Sequence, residues 1–454
     1  MDRVLNGSNQ AWQALRRLTC CWRSRGNYRA MDERRAIKVL LLSVIIARAY
    51  RGTRVSMIEG RESMATLLPI MAAVSAGFLV IGLALPVLPL HVHDGLGFGP
   101  FVVGLVTGSQ FIASLLSRVW AGSYADTRGG KSAVVIGLVT AALAGLVYLA
   151  SFALLGRPAA SAAILLFGRA VLGMAESFII TGGVAWGLAL ADDRHSGKII
   201  GWIGTAMFAA LALGAPIGST LYAAGGFSAI ALATAVLPAA TLLAIVPMHG
   251  VRPATSSARH SFISVFGAVW IPGIGAALSS IGYGAILSFG ALQFAENGWG
   301  LVWLPFTAYA GALIAARLFI GGLPDRLGGA RVAAIFVLVE AAGLMLIWFA
   351  PGPMLAAAGA ALTGLGYSLV YPGLGAEAIR NLPASSRGLA MGLYTVFLDV
   401  ALGFGSPALG LIAASATLDS VFLASAVIVS CATVIALGLS RKSSGVAYQS
   451  RDRA

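Results

Sequence analysis

The chain has 454 residues, 58% of them hydrophobic and 11% charged, with a mean hydropathy of +0.86. Soluble domains carry about 25% charged residues, so the soluble class is excluded, as are disordered, collagen-like and disulfide-stapled chains. The formal net charge of +14 is unevenly placed, since residues 1–63 hold 13 Lys/Arg against 5 Asp/Glu.

In a chain this apolar, a basic leading segment reads as the cytoplasmic side of a membrane rather than as a nucleic-acid binder. The run VLLLSVII (39–46) is too short to span a bilayer. Ala47-Arg48-Ala49 after it faintly resembles a signal-peptidase site, but the long basic leader argues against cleavage there. Residues 1–63 are expected either to be a disordered basic extension or to precede the true start at Met57 or Met64.

From Met64 onward long apolar segments alternate with short loops. Spans are predicted at 66–90, 101–121, 133–154, 160–190, 199–223, 227–247, 263–291, 301–321, 332–350, 354–378, 388–414 and 418–440. If the first span starts inside, one set of loops carries Arg128, Lys131, Arg194, Lys198, Arg252, Arg259, Arg326, Arg331, Arg380 and Arg387, whereas the other set carries Arg157. This asymmetry predicts an all-α inner-membrane protein with both termini cytoplasmic. The expected organisation is a six-helix bundle over 64–247, a central loop over 248–262, a second bundle over 263–440 and a basic tail over 441–454.

The chain repeats itself. RVWAGSYADTRGGKS (118–132) matches RLFIGGLPDRLGGAR (317–331) without gaps, placing Arg118 on Arg317, Gly122 on Gly321 and Asp126 on Asp325. In a second register, 168–177 lies over 359–368 and 201–216 over 392–407, placing Phe208 on Asp399. Two homologous halves related by an axis along the membrane normal are a transporter architecture.

Within the repeated loops, Gly122 is expected to let two helix ends approach closely. Asp126 and Asp325 are expected to pair with a helix N-terminus or with an Arg of the other half. Arg118 and Arg317 each lie eight residues before their Asp, about 12 Å of helical rise on a similar face. With Arg128, Lys131, Arg326 and Arg331, these groups read as a gate latch.

GSYADTRGGK (122–131) and GLPDRLGGAR (322–331) resemble the repeated loop signature of the major facilitator superfamily, Gly-x-x-x-Asp-Arg-x-Gly-x-Arg/Lys, with Thr127 departing from it. Leu165, Arg169 and Gly173 resemble the span-4 arginine motif of its proton-coupled members, and LGAPIG (213–218) a degenerate form of its antiporter Gly-Pro motif. Residues 107–126, 167–183 and 364–399 are similar to a bacterial arabinose-efflux-permease-like, drug:proton-antiporter-like subgroup. The resemblance covers about 66–440. It implies twelve helices in two pseudo-symmetric six-helix bundles, with spans 1, 4, 7 and 10 lining a central cavity.

Ionisable groups inside a span are costly and by default functional. Glu176 lies seven residues after Arg169, two turns along one face, and Asp399 sits deep in an apolar run. Glu176 and Asp399 are therefore expected to carry coupling protons, with Arg169 tuning Glu176. Glu340 and Glu377 are weaker candidates. Gln110, Glu176, Tyr283, Tyr367 and Tyr371 are expected in the substrate cavity. Gly214 and Pro216, repeated as Gly405 and Pro407, are expected to bend spans 5 and 11.

Cys20, Cys21 and Cys431 give no metal-ligand spacing, and no nucleophile set is visible. Gly364-Leu365-Gly366 follows no strand and is not a dinucleotide loop. The chain is therefore read as a non-enzyme without cofactors, whose partners are the bilayer, protons and a small solute, acting as a monomer. Proton-coupled efflux by alternating access is the leading reading. Proton-linked import of sugars or organic acids is the alternative, and a non-transporting membrane sensor or scaffold is the alternative of another class.

Overall fold

A computed structural model describes residues 67–190, 196–251, 262–383 and 386–451. The basic extension 1–63, its VLLLSVII run, Arg194 and most of the central loop lie outside them. The described residues are helical, with no strand among them. This is what hydrocarbon demands, because a helix satisfies its own backbone groups without water.

Among the described residues twelve long helices follow in chain order, besides the short helix Leu323–Leu327. Helix α1 is Leu67–Gly95, α2 Pro100–Arg128, α3 Gly130–Phe152 and α4 Pro158–Ala189. A single helical run, Ser196–Ile245, follows; at 50 residues it is about 75 Å long, more than twice the hydrocarbon thickness. It is broken at Gly225 and Gly226, where Gly226 takes φ 64°, and so makes two passes, α5 over 196–224 and α6 over 227–245. The second half contains α7 Phe262–Glu296, α8 Leu304–Ile320, α9 Gly329–Trp348, α10 Pro353–Ile379, α11 Arg387–Ser415 and α12 Ser420–Arg451. Helix α12 continues past residue 440, where the sequence pattern places its end; no proline interrupts it.

Local sequence sets these boundaries. Proline stands at or beside the first position of α2, α4, α8 and α10, where its missing N–H costs nothing. Gly129 and Gly328 hold φ 91° and 90°, a region that glycine enters without strain. Each is followed by a second glycine that opens the next helix. A Cβ on Gly130 would strike the Trp186 backbone of α4, and one on Gly329 would strike the Gly373 carbonyl of α10. The repeated signature thus folds alike twice, laying α3 along α4 and α9 along α10.

The halves meet along α2–α11 and α5–α8. At the end away from the repeated loops, α2 and α11 are in backbone contact. A Cβ on Gly104 would sit 3.0 Å from Pro407 Cα, and one on Gly108 would sit 2.6 Å from the Gly403 carbonyl. There Thr107 Oγ1 lies 2.9 Å from Ser288 Oγ of α7, which donates to Ser406 Oγ of α11 at 3.0 Å. Large apolar side chains such as Phe319, Leu243 and Val119 face outward, a placement natural against lipid.

Gly145 packs α3 against α6, where a Cβ would lie 2.6 Å from Ala235 Cα; Gly311 on α8 has open space around it. Gly145→Leu is expected to cost about 1–3 kcal/mol, and Gly311→Ala to gain about 0.4–1 kcal/mol. Thermal unfolding in one detergent checks both signs.

Candidate functional site

The site is built where α4 crosses α2. Gly173 stands between Arg169 and Glu176 on α4, and a Cβ there would collide with the Gln110 carbonyl. Its absence brings α2 close enough for Gln110 Nε2 to donate to Glu176 Oε2 at 2.6 Å. Arg169 and Glu176 share one pocket wall with Gln110, Phe78, Phe111 and Tyr283. They make no direct bond, and neither stands in the ion pairs found among the described residues. The free volume is about 20 Å³, room for roughly one water molecule, so the halves are closed around this point.

A run of tyrosines leads away from the pocket at Tyr283. Tyr283 stacks on Tyr309 with centroids 5.2 Å apart and on Tyr367 at 5.6 Å. Tyr367 leads to Tyr371 at 6.1 Å, and Tyr371 to Tyr394 at 4.8 Å. Tyr283 reaches the pocket, whereas Tyr367 and Tyr371 stand behind it. Tyr367 is held against Ser280 Oγ at 3.2 Å, and Tyr371 donates to Thr395 Oγ1 at 3.2 Å. With the halves closed, neither tyrosine is in the wall of this pocket.

Asp399 has a partner that the sequence reading missed. Arg118 of α2 donates to Asp399 Oδ2 from Nε at 2.9 Å and from Nη2 at 2.6 Å. Asp399 is 2% exposed and Arg118 17%, so this is a largely buried ion pair between the halves. Its counterpart by repeat is Arg317 of α8, whose guanidinium lies 4.8 Å from the centroid of Phe208 on α5. Phe208 is the residue that the repeat aligns with Asp399. One contact thus occurs twice, as an ion pair and as a cation–π contact.

The loop groups are distributed differently than expected. Gly122 has open space where its Cβ would be, so the close approach belongs to Gly130 and Gly329. Asp126 and Asp325 are exposed, in no ion pair among the described residues, because the loops turn them toward the surface. Lys131 donates to the carbonyls of Val246, at 2.8 Å, and Met248, tying the start of α3 to the end of α6. Arg128, Arg326 and Arg331 are exposed. Gly214 brings α5 onto α1, where a Cβ would lie 2.8 Å from Gly82 Cα, and Pro407 packs against Gly104; Gly405 faces Ile281. Glu377 accepts from the Ala330 N–H at 3.3 Å and pairs with Arg380. Glu340 is sealed in the second half and accepts from Ser279 at 2.5 Å.

Breaking the Arg118–Asp399 pair leaves one charge unmatched in a mostly dry place. Arg118→Leu and Asp399→Leu are each expected to lose about 2–4 kcal/mol, and the double variant less than their sum. Phe208→Leu is expected to lose about 1 kcal/mol of cation–π attraction. Unfolding midpoints of the four variants check the pattern.

The model of the major facilitator superfamily matches residues 70–306 and 274–453. An uncharacterised MFS-type transporter of Salmonella typhimurium (strain LT2) is 42% identical over 361 residues, covering 80% of this chain and 93% of its own. Another from Pseudomonas aeruginosa is 42% identical over 384 residues, covering 81% and 91%. Among solved structures, a bacterial homologue of the human lysosomal transporter Spinster, inward-facing and occupied, aligns with TM-score 0.66 at 13% identity over 83% of this chain and 96% of its own. The D-xylose-proton symporter aligns with TM-score 0.66 at 15% identity, also over 83% and 96%. These relatives are transporters rather than enzymes, and the chain, a multi-pass secondary transporter of a small molecule, belongs to the major facilitator superfamily.

Proposed function

We propose that this transporter is proton-coupled and exports its solute by antiport. The halves 64–247 and 263–440 rock about the pocket between α1, α2, α4, α5 and α7. The observation that carries the reading is Glu176. It is a carboxyl group in the pocket wall, held by the neutral Gln110 rather than by a cation. That leaves it free to gain and lose a proton without breaking an ion pair. Asp399 is the second proton site. Protonation there removes its charge, releases Arg118 and loosens α2 from α11 at the loop end. The Gly214-Ala215-Pro216 segment supports the export direction.

A second reading, proton-linked import of a sugar or an organic acid, has one observation in its favour. A cation without a counter-charge, Arg169, faces the same pocket as Glu176. An acidic solute would neutralise it. In both readings the loops rich in Lys and Arg face the cytoplasm, both termini are cytoplasmic, the protein lies in the inner membrane, and the monomer suffices.

Solutes that raise the melting temperature of the purified protein identify candidates for transport. In vesicles loaded with a pH dye, such a solute is expected to move protons through wild-type protein. Glu176→Gln is expected to lose gradient-driven flux at least about 100-fold while retaining solute exchange, a loss within the range of a proton-transfer group. Asp399→Asn is expected to slow both. Gradient-driven flux unchanged in both variants overturns the assignment, and everted vesicles read the direction.

A further inference from the structure

Arg169 lacks the partners that its position requires. Its side chain is 2% exposed, and both Nε and Nη1 are buried without a hydrogen-bond partner. The Tyr148 hydroxyl of α3, brought near by the bare Gly168, is a neutral contact that leaves the charge of Arg169 unmatched. Glu176 lies seven residues on, about 10 Å along the helix, and is engaged by Gln110. A buried guanidinium with idle N–H groups is costly, and such groups in a folded protein call for an explanation. Arg169 forms part of the pocket wall, so the missing acceptor has a route to it.

The charges between the halves point the same way. Arg118 is matched by Asp399, Arg317 meets the Phe208 ring, and Arg169 meets no carboxylate among the described residues. Arg169 and Glu176 are the charged side chains in the pocket wall, and Glu176 is engaged by Gln110, so Arg169 is the group there that an anionic solute would meet. The guanidinium fork matches a carboxylate in two parallel hydrogen bonds. Around it Phe78, Phe111 and Tyr283 offer aromatic surface, suited to an apolar or aromatic body.

We propose that Arg169 docks the carboxylate of the transported solute, so that the substrate class is small organic monoanions with an apolar or aromatic body. This rests on the reading of the pocket as the transport site. The present free volume is too small for such a solute, so docking belongs to a state in which the halves have parted.

The test is equilibrium binding to the purified full chain, followed by melting temperature and tryptophan fluorescence. The probes are benzoate, phenylacetate and hexanoate, with benzamide and benzylammonium as neutral and cationic counterparts. Carboxylates are expected to stabilise the wild type, and the amide and the amine to have no effect. Arg169→Gln is expected to bind carboxylates at least about 10-fold more weakly, and Arg169→Lys to fall between, since an ammonium keeps the charge without the fork. Because Arg169→Lys keeps a cation in place, it preserves the test if Arg169→Gln fails to fold. Three results overturn the proposal: binding unchanged in both Arg169 variants, preference for benzylammonium, or no carboxylate shift in wild type, which would leave a trapped water as the guanidinium's partner. Carboxylate binding that depends on Arg169 in a protein moving no solute would sink the transport reading and leave the docking group standing.

Discussion

Hydrocarbon offers no hydrogen bonds, so every polar side chain between these helices has to find its partner in the protein. That constraint organises the interior. Gln110 meets Glu176, Arg118 meets Asp399, Thr107 joins Ser288 and Ser406, and Ser279 meets Glu340. Two of these sets cross from one half to the other. The Thr107–Ser288–Ser406 chain closes the end away from the repeated loops, and the Arg118–Asp399 pair lies nearer the loops. The contacts that hold the halves together are therefore the same ones that a rocking motion has to break.

Glycine makes those contacts reachable. Gly104 and Gly108 bring α2 onto α11 at backbone distance, and Gly173 does so for α2 and α4. On this scaffold the repeat is kept in geometry and changed in chemistry. The contact between an arginine of one half and a residue of the other occurs twice, yet Asp399 has a carboxyl group that could take a proton and Phe208 has none. The α5–α8 contact is worth about 1 kcal/mol as a cation–π pair, and a broken buried ion pair costs several times more. On the proposed mechanism, α2–α11 is the contact whose strength protonation sets, while α5–α8 yields cheaply in every cycle.

Much of this was legible in the residues. The twelve passes, the break near Gly225 and the doubled loop signature follow from apolar run length, glycine pairs and self-similarity, because bilayer thickness fixes helix length. Pairings were harder to read. Arg118 and Asp399 lie 281 positions apart, and no local pattern joins them. The alignment of Asp399 with Phe208 and of Arg118 with Arg317 already held the information that one contact recurs. Gly122 misled because closeness was assigned to the first glycine of the signature; the positive φ at Gly129 passes that role to Gly130. Asp126 and Asp325 misled because two exposed loop carboxylates look the same in sequence as two latched ones. Tyr367 stands outside the closed pocket, and period alone does not say which side of α10 faces the cavity.

Arg169 and Glu340 are two of the buried ionisable groups left with idle atoms, and their surroundings separate them. Glu340 has one oxygen unpartnered, but it is enclosed by α7, α9, α10 and α12, close against Gly282 and Gly366. It is fully buried, and Ser279 is its hydrogen-bond partner. Arg169 is also buried, yet stands with Glu176 in the wall of a space that the halves share. A group sealed in a bundle acts on that bundle's packing. A group at the seam is placed to act on what enters the seam, and on the proposed docking it is the idle N–H groups of Arg169, rather than the idle oxygen of Glu340, that bear on what the protein carries.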